Sequence, residues 1–436
     1  MLTRDPADPS PARRALITGG AGGIGWAICR ALAAEGVRCV IADVDAARAE
    51  ARAAELGAGH VAIAVDLSDM RAASGLVGRA AEALGGLEIV VNNAGITDTT
   101  GRRIGEIPAA EFARLVAVNL GSVEAICRST LGLLAPGGVI VNIASGAALR
   151  AIPLRGAYSA TKAAVMELTR TLDAEAAGRG IDVTAIAPGF VRTELVEGLI
   201  AAGRLDAEAA AARVPLGRLG TPDDIARAVA FAASPAGRVL AGRCLSVDGG
   251  ALAAAGTALP ATETKPPVGT TRLAVIGTGA EAERLVRLAG RDREVLHVAT
   301  PAALSNAPPL GAVVDTRGCD ATDTTRALAN VRDLAEVLEA RDDGAGLAVL
   351  LVSGGGDPAT AAALGMMARL LALEWGPCRH RVNALDWSDA RRDGMAELAL
   401  WLTGDGAGYL TGQSVQAGPA RTRVAAGAET RHETTD

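Results

Sequence analysis

Short β-branched runs alternate with alanine-rich stretches along this chain, and the runs are apolar almost throughout: Ala15 to Thr18, Val37 to Ala42, Val61 to Val65, Ile89 to Val91, Val139 to Ile143 and Val183 to Ile186. Strands that alternate with helices build parallel βαβ units, and strands apolar on both faces must be covered on both. The pattern predicts an α/β fold with a doubly wound parallel sheet. It closes at Leu245 to Gly250, leaving a first domain at 12–252. Residues 253–270, with Pro260, Pro266 and Pro267 among Ala, Thr and Gly, lack periodicity and read as a linker.

The alternation then resumes and echoes the first half in the same order. Arg272 to Gly277 answers Arg14 to Gly19, Ala312 to Asp315 answers Ile89 to Asn92, and Leu347 to Ser353 answers Gly138 to Ser145. Ala363 to Asn383 tracks Val165 to Thr184, and Tyr409 to Gly412 answers Val239 to Gly242. Ordered echoes of this kind predict a tandem duplication, with a second domain at 271–420 and a flexible tail at 421–436. Between Val298 and Pro308 there is no room for a full second helix and third strand, so the second sheet is expected to be truncated at one edge.

Composition narrows the function. A net charge of -6 with 2% aromatic residues offers neither a basic face nor a stacking platform, which argues against nucleic acid. No apolar run approaches the roughly 20 residues of a membrane span. Met1 to Arg14 is polar, with Pro6, Pro9 and Pro11, and reads as a short leader of a cytoplasmic protein. Six cysteines and four histidines are scattered without ligand spacing, so no metal is expected. The partner expected is a small molecule.

Thr18-Gly-Gly-Ala-Gly-Gly-Ile-Gly25 follows a predicted strand and opens a helix, where Gly19, Gly23 and Gly25 leave backbone N–H groups open to a pyrophosphate. Asp43 ends the next strand, where a carboxylate can accept the ribose hydroxyls and would repel a 2′-phosphate. With no Lys or Arg between Gly19 and Trp26, NAD(H) is expected over NADP(H).

These features, with Asp66-Leu67, Asn92-Asn-Ala-Gly95 and Pro188-Gly-Phe-Val-Arg-Thr193, resemble the short-chain dehydrogenase/reductase family in its β-ketoacyl-carrier-protein reductase form. The resemblance, over about Ala12 to Leu252, implies a Rossmann-like domain, and the ordered echoes then predict a second, degenerate one in tandem. It implies Asn119, Ser145, Tyr158 and Lys162 as the catalytic tetrad. It also implies a dinucleotide held by Gly19, Gly23, Ile24, Gly25, Asp43, Asp66, Leu67, Asn93, Ala94, Gly95, Tyr158, Lys162, Pro188, Gly189, Val191 and Thr193. The residues themselves support that chemistry. Tyr158 and Lys162, four apart, share one helical face, and an ammonium near a phenol favours the phenolate. Ser145 can donate to a substrate oxygen as charge develops there. The expected reaction interconverts a secondary alcohol and a ketone, with a 3-hydroxyacyl or 3-oxoacyl group as one candidate substrate. Leu149, Leu154, Val191, Leu195 and Leu199 would meet an apolar ligand, and Arg150 and Arg155 an anionic one.

The second copy aligns Glu281-Ala-Glu-Arg284 with Gly22-Gly-Ile-Gly25, Asp357 with Tyr158 and Ala361 with Lys162, while Asn330 and Ser353 match Asn119 and Ser145. It is therefore expected neither to bind a dinucleotide nor to turn over. Its helix Ala359 to Trp375 carries Met366, Met367, Leu370 and Leu371 in a stripe too wide for one partner. Because family members commonly dimerise through the helix bearing the Tyr/Lys pair, this helix is expected to dock the second copy as a built-in subunit. Two chains would then form a homodimer that imitates a tetramer. The alternative from another class is a non-catalytic, NAD-responsive scaffold.

Overall fold

The structure, a computed structural model, describes residues 12–203, 205–254, 271–341, 343–344, 346–354, 357–387 and 394–417. Most of the predicted leader and linker, and the whole tail at 421–436, lie outside the described residues.

The first domain carries seven strands, β1 (Arg14–Thr18), β2 (Arg38–Asp43), β3 (Val61–Ala64), β4 (Ile89–Asn92), β5 (Val139–Ile143), β6 (Asp182–Pro188) and β7 (Cys244–Val247). Its helices are α1 (Gly23–Ala34), α2 (Ala46–Leu56), α3 (Met70–Leu84), α4 (Ala109–Val116), α5 (Ser122–Leu133), α6 (Tyr158–Ala176), α7 (Glu194–Ala201), α8 (Ala207–Ala211) and α9 (Pro222–Ala233). The sheet is parallel in the order β3-β2-β1-β4-β5-β6-β7. Alternate residues of each strand feed opposite layers. Ile17, Ile41, Val91 and Val141 enter the core under α1 and α9, while Leu16, Val40, Val90 and Ile140 enter the core under α3, α5 and α6. The two-sided covering expected of these apolar strands is what the sheet has. The strand order reverses between β1 and β4, which opens a crevice at their carboxyl ends.

The second domain has six strands, β8 (Leu273–Ile276), β9 (Val295–Val298), β10 (Ala312–Gly318), β11 (Ala348–Ser353), β12 (Arg381–Asp386) and β13 (Ser414–Gln416). Its helices are α10 (Ala280–Ala289), α11 (Thr324–Glu339), α12 (Pro358–Trp375) and α13 (Met395–Leu402). The parallel order β9-β8-β10-β11-β12-β13 repeats β2-β1-β4-β5-β6-β7 position for position. Among the described residues nothing corresponds to β3; a 3-10 turn at Pro301–Leu304 leads from β9 toward β10.

The domains share one apolar core, built from α1 and α9 on one side and α10 and α13 on the other. Phe231 of α9 stacks on Trp401 of α13, with ring centroids 4.4 Å apart and an interplanar angle of 15°. The two rings precede Gly242 and Gly412 by the same interval, so matching positions of the two echoes meet face to face. The docking face differs from the one expected. It uses α13 and the 3-10 turn Asp405–Ala407 against α9 and the 3-10 turn Ala236–Leu240. Helix α12 instead covers its own sheet and packs against α11, leaving Met366 59% and Leu370 46% exposed.

Replacing Phe231 by Ala would leave a hole in this shared core. We expect a loss of about 3 kcal/mol in urea unfolding, together with changed Trp401 emission, because large-to-small changes of a buried phenylalanine cost about 3–5 kcal/mol. A loss under about 1 kcal/mol, small on that scale, would show that the stack does not hold the domains together.

Candidate active site

The crevice is built at the ends of β1 and β4. Thr18, buried at the end of β1, receives the Asn93 and Ala94 N–H groups on its Oγ1 at 3.0 and 3.1 Å. The Asn93 amide in turn donates to the Thr18 and Gly19 carbonyls at 2.9 and 3.1 Å. These bonds pin the glycine turn against the loop after β4. Gly25 has no room for a side chain, since a Cβ there would lie 2.0 Å from the Gly19 carbonyl oxygen. Gly19 and Gly23 hold φ values of +62° and +52°, which an L side chain rarely adopts. Gly22 caps α1 without a side-chain acceptor, and the first helical turn has no acidic residue. Open N–H groups at the positive end of a helix suit a pyrophosphate, so the residues present fit a dinucleotide. Ile24 packs against the core below the turn, Leu67 is buried, and Asp66 is spent on the Ser68 N–H and hydroxyl.

Asp43 lies at the turn as expected, accepting the Ala21 N–H at 3.0 Å and the Asp45 N–H at 3.1 Å. The segment from Gly19 to Trp26 has no Lys or Arg, but cations reach the turn from α2. Arg48, from the first turn of α2, reaches over Gly22, whose ideal Cβ would lie 2.9 Å from the guanidinium. That guanidinium also pairs with Glu194 at the start of α7 and feels the Asp43 charge. Arg52 stacks over Trp26 at 4.5 Å and donates to the Ala21 carbonyl. A sequence window confined to the glycine turn misses both arginines, because a helix N-terminus one βα unit later folds back beside it.

The four catalytic candidates come together. Ser145 follows β5 by two residues and caps the 3-10 turn Gly146–Ala148 by accepting the Ala147 N–H at 3.1 Å, and its hydroxyl favours the ionised form of Tyr158 at the start of α6. One turn further on, the buried Lys162 donates from Nζ to the Ile143 carbonyl at 2.7 Å and stands 5.9 Å from the Tyr158 ring centroid. Asn119 lies in a π-helical turn, Ala117–Gly121, between α4 and α5. Its amide is locked to Ile96 by two bonds of 2.8 Å, one accepted and one donated. Lys162 Nζ and Asn119 Oδ1 converge on Gly95, where a Cβ would lie 3.4 Å from each.

The electrostatics depart from the simple picture of an ammonium lowering a phenol. Burial pushes Tyr158 above its ordinary value of about 10, and the downward pulls come from Ser145 and then Arg155. Lys162 is itself desolvated, which lowers its pKa to about 8.

Pro188, Gly189, Val191 and Thr193 form the loop after β6. The Gly189 N–H donates to the Val247 carbonyl at 3.0 Å, and Thr193 caps α7 with its side chain 3.6 Å from an ideal Cβ on Gly23. Val191 is buried, not on the substrate rim, because the backbone there is bridged to Gly220. Leu149, Leu154 and Leu195 are each at least half exposed around the crevice, Leu199 is partly buried, and Leu154 holds a strained φ of +58°. Arg155 acts on Tyr158 and Asp98, and Arg150 on Asp248. Sequence reasoning missed the buried amide chain behind the site. Asn92 donates to Asn142 at 2.8 Å, and Asn142 donates to Thr169 of α6 at 2.9 Å. Amides inside otherwise apolar strands are the signal that would have revealed it.

In the second domain the helix-opening residues are Gly279-Ala-Glu-Ala282, two positions earlier than the alignment predicted, because the turn after β8 is shorter. Ala282 is fully buried, Glu281 and Glu283 occupy the first turn, and Asp320 faces Gly279, with a Cβ there 2.9 Å from its carboxylate. Asp357 caps α12 through the Ala359 and Thr360 N–H groups, and Ala361 is buried. Among the described residues no group of His, Cys, Asp and Glu could hold a metal ion, and no helix is long and apolar enough to cross a membrane.

Residues 19–251 match the family described as enoyl-(acyl carrier protein) reductase. An uncharacterized short-chain type dehydrogenase/reductase of Sinorhizobium fredii is 40% identical over 246 residues, a span of 56% of this chain but only 45% of that protein. Cis-4-hydroxycyclohexanecarboxylate dehydrogenase of Sinomonas cyclohexanicum is 38% identical over 242 residues, covering 55% of this chain and 96% of the relative. Among solved structures, a 3-ketoacyl-(acyl-carrier-protein) reductase from Brucella melitensis complexed with NADH aligns at TM-score 0.50 and 34% identity, over 55% of this chain and 98% of that one. A short chain dehydrogenase from Burkholderia cenocepacia in complex with NADP aligns at TM-score 0.50 and 35% identity, over 55% and 98%. Through its first 250 residues or so, the chain belongs to the short-chain dehydrogenase/reductase family of oxidoreductases.

Proposed function

We propose that the chain is an NAD(H)-dependent oxidoreductase that interconverts a ketone and a secondary alcohol in the first domain. The observation that carries this reading is the convergence of Ser145, Tyr158 and Lys162, with Ser145 acting on the phenol and the Lys162 ammonium 5.9 Å from its ring centroid. When bound, the nicotinamide supplies or accepts the hydride. Ser145 donates to the carbonyl oxygen as charge grows on it. Tyr158, held above its ordinary pKa by burial, keeps its proton at neutral pH and delivers it to that oxygen when the carbonyl is reduced. Lys162 and Asn119, meeting at Gly95, hold the proton path behind the phenol. The loop from Pro188 to Thr193 orients the nicotinamide and shuts out water.

Asp43 supports NAD(H) over NADP(H), since its carboxylate would repel a 2′-phosphate and the Arg48 charge that could offset it is paired with Glu194. The exposed leucines beside Arg150 and Arg155 suit a substrate with an apolar body and an anionic end, such as a 3-oxoacyl group on a carrier. The second domain we read as a degenerate copy of the first, without a β3 counterpart among the described residues, serving as a built-in pseudo-subunit. The carboxylates of Glu281, Glu283 and Asp320 around its helix start disfavour a pyrophosphate there. The exposed Met366 and Leu370 of α12 support a homodimer across that face, a pseudo-tetramer of domains.

Tyr158→Phe should lower NADH-dependent ketone reduction by about 10²–10⁴-fold with dinucleotide binding retained, the usual size of a lost general acid. Absorbance at the nicotinamide band across a panel of ketones and 3-oxoacyl thioesters checks this, and wild-type turnover by the variant would overturn the assignment. NADH titration and light scattering of one sample should give one dinucleotide per chain and a two-chain particle. Two per chain would remove the degenerate-copy reading, and a monomer the dimer.

A third expectation follows from the buried lysine. Below pH 8 the native and unfolded chains both keep its proton, and the native state bears the full cost of the buried charge. Between about 8 and the unfolded value of about 10.4, the native chain releases the proton first, so stability rises with pH. Urea unfolding of wild type and Lys162→Met should differ by up to about 3 kcal/mol more in favour of wild type at pH 10.5 than at pH 7. A pH-independent difference would show that the ammonium is not buried at a cost.

A further inference from the structure

We infer that Tyr409, a residue of the second domain, is a positioning residue for the Pro188–Thr193 loop of the first. Tyr409 is 1% exposed, the largest of the fully buried side chains, yet its ring rests on the other domain. An ideal Cβ on Gly220 would lie 2.7 Å from Tyr409 Cε1, and one on Gly249 would lie 2.6 Å from Cε2. The two edges of the ring therefore fill the spaces that these two glycines leave open. The phenol donates to the Arg218 carbonyl at 3.0 Å, and the Tyr409 carbonyl accepts the Gly249 N–H at 3.0 Å. The Arg218 guanidinium covers the ring at 4.5 Å and is itself fixed by two bonds to Asp224, of 2.7 and 3.1 Å.

What Tyr409 supports is the backbone that holds the loop. Gly220 accepts the Arg192 N–H at 2.8 Å and donates to the Phe190 carbonyl at 2.8 Å, so the loop is strung on this one residue by two hydrogen bonds. At its other end Gly189 lies tight against Asp248, where a Cβ would come within 2.8 Å. The Asp248 carboxylate receives the Gly250 and Leu252 N–H groups and, from the second domain, the Gln413 amide at 3.3 Å. The segment from Tyr409 to Gln413 thus braces both ends of a loop that belongs to the other domain. By the internal echo the first copy has Val239 at the Tyr409 position, and a valine has neither the reach nor the hydroxyl for these contacts. The second domain, on this inference, completes the site without contributing a group to the chemistry.

The binding part of the test rests on the proposed dinucleotide reading; the exchange part does not. Full-length Tyr409→Ala, Tyr409→Leu and Tyr409→Phe are compared with wild type. Without ligand, hydrogen exchange at the Arg192 and Gly220 amides should be about tenfold faster in the Ala and Leu variants and near wild type in the Phe variant, which keeps the ring. NADH, which carries a nicotinamide, should bind the Ala and Leu variants about tenfold more weakly, while ADP-ribose, which lacks one, should bind all four proteins alike. Unchanged exchange at those two amides in both the Ala and Leu variants, or equal weakening of NADH and ADP-ribose, would overturn the brace. If wild type binds neither ligand, the dinucleotide reading falls, and the exchange rates alone decide the brace.

Discussion

Everything in the first domain hangs on the reversal of strand order between β1 and β4. Neighbouring parallel strands whose connections run to opposite faces of the sheet cannot bridge the gap at their own carboxyl ends, so a crevice opens there. Thr18 and Asn93 are the residues that keep that crevice in shape. The Thr18 hydroxyl gathers two N–H groups from the β4 side, and the Asn93 amide returns two bonds to the β1 side. Four hydrogen bonds across the reversal make the glycine turn a fixed surface. Within it the Gly20 N–H is taken by the Ala42 carbonyl and the Ala21 N–H by the Asp43 carboxylate, so the open N–H groups are those at the start of α1.

The same crevice sets the charges of the candidate catalytic groups. Lys162 is buried because α6 must lie on the sheet, and its ammonium finds a single strong partner in the Ile143 carbonyl. Burial weakens its hold on a proton and leaves Tyr158 to be tuned by groups nearer the rim, Ser145 and Arg155. Arg155 follows the strained Leu154, whose positive φ turns the chain just before α6 begins. The loop that shapes the substrate rim and the arginine that biases the phenol are therefore one piece of structure.

Much of this was legible in the sequence, and the gaps have physical causes. Strands buried on both faces announce themselves as apolar runs, so those of the first domain begin within one residue of the predicted starts. The edge strand β13 escaped notice because three residues with two exposed carry no such run. Tyr158 and Lys162 were readable because helical spacing places them on one face whatever the tertiary context. Arg48 was not, since its approach to Gly22 depends on how α2 returns across the sheet. The choice of docking face was invisible for a similar reason. The apolar stripe of α12 signals that something must cover it, but only the packing of α9 on α13 shows that this partner is not the first domain.

The pairing of Phe231 with Trp401 makes the two domains meet much as two like subunits would, through equivalent helices. Exact symmetry would oblige both copies to offer the same side chains across that axis. A single chain is free of that obligation, and here the two sides differ. Tyr409 enters the first domain beside Gly220 and Gly249, while its counterpart by the echo is only a valine, Val239. The helix starts differ as well: α1 opens at Gly22 with no acidic residue in its first turn, while α10 carries Glu281 and Glu283 there, so the two domains are unlike both where they meet and where their first helices begin.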